Sequence, residues 1–203
     1  MIKNNDITLE INNHSWWLFT KRRDDVVFEK IADKIFKRDK YTCSFCSFRA
    51  LLYQEVINID GNYRNNSLSN LVTSCRFCAQ CFFLDALGNN LGFGGGRFIY
   101  LPEIKQIHLN SFCHVLFCAM SNTTNYSDYA KITYRQFKFR SKIVENKFGK
   151  NSSHPNILSH MLAEIKIDRN LKLLSREIFK NIRVLPSFVA FKKELNDWMK
   201  RSV

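Results

Sequence analysis

Cys43 and Cys46 stand in "YTCSFC", Cys75 and Cys78 in "SCRFC", with 28 residues between the two pairs. Thiolates this close on a tight turn can both face one soft cation, and two such turns complete a tetrahedral shell. The chemistry predicted is closed. With four sulfurs bound, no position remains for water or substrate. Zinc is the expected occupant, and a rubredoxin-like iron is the less favoured one. Cys81 follows Cys78 at the same spacing and is a substitute for it in the register. If the chain turns helical after Phe77, Cys81 lies one turn inside and reads as a small buried residue. Cys113 and Cys118, in "FCHVLFCAM", read as core, and His114 beside them as a hydrogen-bonded histidine.

Four sulfurs need elements to hold them. The spacer exceeds that of a compact zinc ribbon, so it must carry a strand or hairpin of its own. "YQEVINID" reads as that strand, and "NYRNNSLSN" as a loop of turn formers. "FCAQCFFLDAL" reads as a helix stopped by Gly88, and "GFGGGRFIYLP" as a glycine loop entering a strand. The glycines lack the Lys-Ser/Thr that a phosphate-cradling loop needs, so a turn suffices. Before this module, residues 14–42 form a helical lead-in with Phe28, Ile31, Ile35 and Phe36 on one face. Trp16 and Trp17 just ahead of it read as packing residues.

Residues 103–203 read as helical. The segment from Glu103 to Asn122 is apolar on most faces and should lie inside. "SDYAKITYRQFKFRSKIVENKFG" is amphipathic, with Tyr129, Ile132, Phe137 and Val144 near one stripe. Leu171, Leu174 and Ile178 mark another helix. Ser187 caps a last one that gathers Phe188, Phe191, Leu195 and Trp198. Residues 149–156, "GKNSSHPN", read as a mobile linker. The expectation is therefore an α+β protein, one domain over 1–203, with a zinc-stapled module at 43–101 embedded in a mostly helical chain. A helical half with its own core is expected to survive chelation.

With 45% hydrophobic and 14% aromatic residues, the chain should bury a packed core. No run reaches the 18 to 20 apolar residues that span a bilayer, roughly, and the N-terminus lacks an apolar signal stretch. Seven cysteines without such a signal point to reduced thiols and a cytoplasmic location. The net charge of +13 is uneven, since residues 101–203 hold 18 Lys/Arg against 8 Asp/Glu. That bias suggests an anionic partner.

"RDKYTCSFC", "EVINID" and "NNSLSNLVTSCRFC" together resemble the zinc-stapled ββα unit of HNH endonucleases over about 40 residues. In that family a histidine on the strand serves as base and a further residue after the second pair assists. The resemblance puts Asn58 and Ala79 at those positions, and neither can do the work. Asn70 matches but cannot catalyse alone. The histidines, at 14, 108, 114, 154 and 160, all lie outside the interval between the pairs. A nuclease needs a proton acceptor beside a hard cation, so an enzyme is not expected.

Over nearly the whole chain, "NSLSNLVTSCRFCAQCFF", "GGGRFIYLPEI" and "FCHVLFCAM" resemble the IcmJ/DotN family of the Dot/Icm type IVB secretion system. The resemblance implies a non-enzymatic zinc adaptor, cytoplasmic and peripheral to the inner membrane through the coupling complex. It implies an extended segment in the C-terminal region of the coupling ATPase DotL as partner, with DotM and other adaptors nearby, and a part in effector recruitment. The alternative is a basic zinc protein derived from an HNH nuclease that grips nucleic acid; no nucleic acid is expected on the adaptor reading.

Overall fold

A computed structural model describes residues 6–11, 15–87, 93–122, 124–164 and 171–200. The lead-in is two helices, α1 (Ser15–Arg23) and α2 (Val26–Arg38). Asp25 separates them, because its extended backbone and side chain cap the Val27 N–H of α2. Trp16 lies inside α1 against Phe19, Phe83 and Phe93, whereas Trp17 faces solvent.

Strands β1 (Gln54–Asn58) and β2 (Leu71–Cys75) pair antiparallel, Gln54 opposite Cys75 and Asn58 opposite Leu71. Both faces of this hairpin are covered. Val56 and Leu71 meet Phe28 and Ile35 of α2, with Ile31, Ala32 and Phe36 packed against them. Ile57 and Cys75 turn to the main core. Helix α3 (Arg76–Ala79) follows at once and tightens into a 3-10 turn, Gln80–Phe82, ending where Phe83 leaves helical geometry. The longer helix expected from "FCAQCFFLDAL" is therefore cut to about two turns, and Gly88, its expected stop, lies outside the described residues.

β3 (Gly96–Tyr100) pairs antiparallel with β4 (Ile182–Pro186), a strand that the helical reading of the second half omits. Between them run α4 (Gln106–Ser121), α5 (Ser127–Phe139), α6 (Ser141–Phe148), α7 (Pro155–Glu164) and α8 (Leu171–Phe179); α9 (Lys192–Lys200) closes the series. The small sheet's edges are satisfied locally. The Gln106 amide donates to Val184 O at 2.8 Å and accepts Val184 N–H at 2.8 Å, and Phe98 N–H donates to Ser153 O at 2.7 Å. Ser152 and Ser153 are fully buried, so the segment expected as a mobile linker is instead docked on β3. Seryl backbone groups without a strand of their own serve as its partner.

One hydrophobic cluster runs from Ile7 and Phe19 through Cys75, Phe77 and Phe98 to Phe117, Phe179, Phe191 and Leu195. Residues on both sides of position 101 share it. The α+β architecture thus stands, with two small antiparallel sheets among helices. Of the expected stripe, Phe137 packs on the core and Val144 is buried, whereas Tyr129 and Ile132 of α5 are 73% and 50% exposed. Cys118, read as core, is also exposed. Leu171 and Leu174 fall outside the described side chains. Among the described residues, no helix is long and apolar enough to cross a membrane.

Candidate metal centre

The first cysteine pair sits on a knuckle that hydrogen bonds draw shut. Thr42 and Arg49 form a single bridge, Cys43 N–H donates to Phe48 O at 2.9 Å, and Ser47 N–H to Cys43 O at 3.0 Å. Ser47 takes a φ of +63° to make the return. Ser44 N–H donates to Thr73 O at 2.9 Å, which stitches the knuckle to β2. Cys75 is the last residue of that strand, and Cys78 lies in α3 just beyond.

The structure brings the four sulfurs together: Cys43, Cys46, Cys75 and Cys78 are buried and their sulfurs lie within 4.8 Å of one another. Cys46 and Cys75 approach to 3.5 Å. A tetrahedral ion with bonds of about 2.3 Å to sulfur would set sulfurs about 3.8 Å apart, so this donor set fits such an ion. Burial pushes the Cys75 and Cys78 thiols well up, and hydrogen bonds with neighbouring cysteines add to it. Burial opposes the Cys43 thiolate too, but hydrogen bonds from the other three outweigh it and hold its pKa well down. Ionising all four in this dry site takes a cation among them. Cys81 is buried outside this group, its sulfur donating to Phe77 O at 3.5 Å, and burial raises its pKa to about 12.

Helix α4 supplies the shell around the sulfurs. His114 Nε2 lies 3.3 Å from Cys75 Sγ, and the Asn110 amide donates to Cys78 Sγ at 3.2 Å. The imidazole is sandwiched between Phe48 and Phe77, with ring centroids 3.6 and 4.1 Å away and planes nearly parallel. Burial lowers its pKa to about 3, so the ring is neutral, and its Nε2–H tautomer would donate to a Cys75 thiolate. Sequence reasoning gave His114 a hydrogen bond without finding the acceptor. The one available signal was a histidine on an otherwise apolar helix.

Arg38 and Asp39, just ahead of the knuckle, set its position. The Arg38 guanidinium donates to Leu68 O at 2.8 Å, to Leu71 O at 2.7 Å and to Asp39 at 2.8 Å. Asp39 accepts Thr73 N–H at 2.9 Å. Arg76, inside the second pair, joins Glu55 of β1 to Glu194 of α9 at 3.2 and 2.6 Å.

Asn58 is fully buried and its amide is spent. Its oxygen accepts from Arg22, and its nitrogen donates to Asn62 O at 2.9 Å and Asn65 O at 2.7 Å. Arg22, its pKa lowered to about 10 by burial, also donates to Val56 O at 2.6 Å. Asn70 is bound to Asp60 and Asn65 within the loop, and Ala79 is sealed in the core. Asn58 and Asn70 build the hairpin, and Ala79 packs α3 into the core. The glycines have a similar role: a Cβ on Gly96 would come within 2.7 Å of Leu185 O, and Gly94 holds a φ of +65° against Gln80.

No protein-family model matches the chain. Among curated proteins it is similar to the "Type 4 apparatus protein DotN" of Legionella pneumophila, with 51% identity over 184 residues, 91% of this chain and 85% of the relative.

Proposed function

This chain belongs to the DotN (IcmJ) family, and on that premise we propose that it is a non-catalytic, metal-stapled adaptor subunit of the Dot/Icm type IVB secretion apparatus. Its partner on this reading is an extended segment of the coupling ATPase DotL, in the C-terminal region, alongside DotM and other adaptors. Through them it supports effector recruitment from the cytoplasmic side, held at the inner membrane by the complex alone. The single observation that carries the proposal is the 51% identity to an apparatus protein over nearly the full chain.

Cys43, Cys46, Cys75 and Cys78 hold one zinc ion per chain, and the ion braces the polypeptide. The four buried sulfurs, all within 4.8 Å of one another, support this. The hairpin and α3 descend from an HNH unit whose base position, Asn58, has become a structural amide. Elemental analysis of the purified protein should return one zinc, and Cys43→Ser should lose it. Affinity-tagged protein should recover DotL from solubilised membranes at moderate salt. Failure to recover any part of that ATPase removes the adaptor reading. A supercoiled plasmid should stay uncut in Mg²⁺ or Mn²⁺.

A further inference from the structure

Helix α5 has two apolar faces, and only one is used. Ala130 is buried, and Tyr134 and Phe137 pack on the core. On the outer side Tyr126, Tyr129, Ile132 and Phe139 are 74%, 73%, 50% and 64% exposed. Tyr129, Ile132 and Phe139, spaced by three and seven residues, form one stripe along the helix, and Tyr126 stands just before its first turn. Bare apolar stripes of this size on a charged surface mark contact sites.

The stripe runs into a basic pocket of about 260 Å³ lined by Arg97, Arg135, Lys138, Phe139, Lys142 and Glu145. Glu145 is already engaged, 3.9 Å from Arg97 and hydrogen-bonded by Ser153. Among the described residues Arg135, Lys138 and Lys142 have no acidic partner. Lys142 lies over the Phe139 ring at 5.1 Å, so charge and apolar surface meet in the same place. We infer that this face of α5 docks an acidic peptide segment of a partner protein, with carboxylates in the pocket of Arg135, Lys138 and Lys142 and apolar side chains along the stripe. The inference rests on the adaptor reading and gives that reading its surface and its chemistry.

Two other anionic partners fit less well. A bilayer surface cannot enter a concave pocket, and the cations here converge on one. Duplex nucleic acid would meet the cations but leave four bare apolar side chains without a counterpart, whereas protein interfaces bury such residues at their centres. Unpaired cations beside an apolar anchor site match a segment carrying both acids and large side chains.

The test is fluorescence anisotropy of the full chain with a labelled peptide of about 15 residues, in which pairs of Glu alternate with Leu and Phe. Saturable binding is expected, about tenfold weaker when Glu is replaced by Lys or when Leu and Phe are replaced by Ser. The triple variant Arg135→Glu, Lys138→Glu, Lys142→Glu should also lose about tenfold, and Ile132→Ser with Phe139→Ser a similar factor. All five changed positions are exposed, three of them charged, so circular dichroism and zinc content should match the parent and show that the variants fold. Equal affinity for parent and triple variant overturns the inference. So does the absence of saturable binding, or binding to phosphatidylglycerol vesicles or duplex DNA that the peptide does not compete away. Recovery of DotL separates the two levels. A triple variant that recovers it as well as the parent refutes this surface and leaves the adaptor standing, while a parent that recovers none refutes the adaptor itself.

Discussion

Asp39 carries no metal, yet it fixes where β2 delivers Cys75. Burial alone would raise its carboxyl pKa, but hydrogen bonds from Arg38 and Thr73 outweigh that and bring it below the usual 3.8. A carboxyl so held stabilises the fold above its unfolded pKa, and that contribution disappears as pH falls through the folded value. Asp39→Ala should therefore cost about 1 to 3 kcal/mol at neutral pH. The cost should shrink in acid, as read from denaturant melts across that range. His114 gives a sharper prediction. His114→Ala removes a donor to Cys75 and empties the slot between Phe48 and Phe77. Loss of such an outer partner lowers metal affinity about 10- to 100-fold, measurable by competition with a chromophoric chelator. His114→Gln, able to donate but not to fill the slot, should recover part of the affinity and less of the thermal stability.

The elements differ in how plainly the sequence announces them. The face of α2 was readable because Phe28, Ile31, Ile35 and Phe36 repeat at the helical period and meet one partner, the hairpin. The cysteine pairs were readable because ligand spacing is local. β4 was not. "IRVLP" is five residues with no alternation, and what makes it a strand is β3, far away in the chain, together with the Gln106 amide on its other edge. Tyr129 and Ile132 were legible as apolar positions of an amphipathic helix, but not the direction they face, since period cannot tell core from interface. Nor could spacing disclose that Asn110 and His114 would reach the sulfurs. Gly96→Ala tests the β3–β4 contact: the added methyl would press on the Leu185 carbonyl and on the Val184 side chain. It should destabilise by about 1 to 3 kcal/mol, with a lower thermal midpoint and unchanged zinc content.

At the scale of the molecule, the sulfurs stand inside the core that also holds Phe117, Phe191 and Leu195. The C-terminal helix clasps the module as well: Trp198 Nε1–H donates to Leu52 O at 2.9 Å, and Glu194 reaches Arg76. A shared core replaces the expectation that chelation melts the module alone. Strong chelation should instead abolish the near-ultraviolet signal and the helical far-ultraviolet signal in one coincident transition. Two separated transitions would restore the idea of an independent helical half. The pairing of Tyr100 with Ile182 has a consequence for biosynthesis. About 80 residues separate the two, and at roughly 5 to 20 residues per second the ribosome needs on the order of ten seconds to make them. Throughout that interval β3 offers an open hydrogen-bonding edge to any neighbouring nascent chain, which makes the stretch of translation between β3 and β4 the time at which this protein is most easily lost to aggregation.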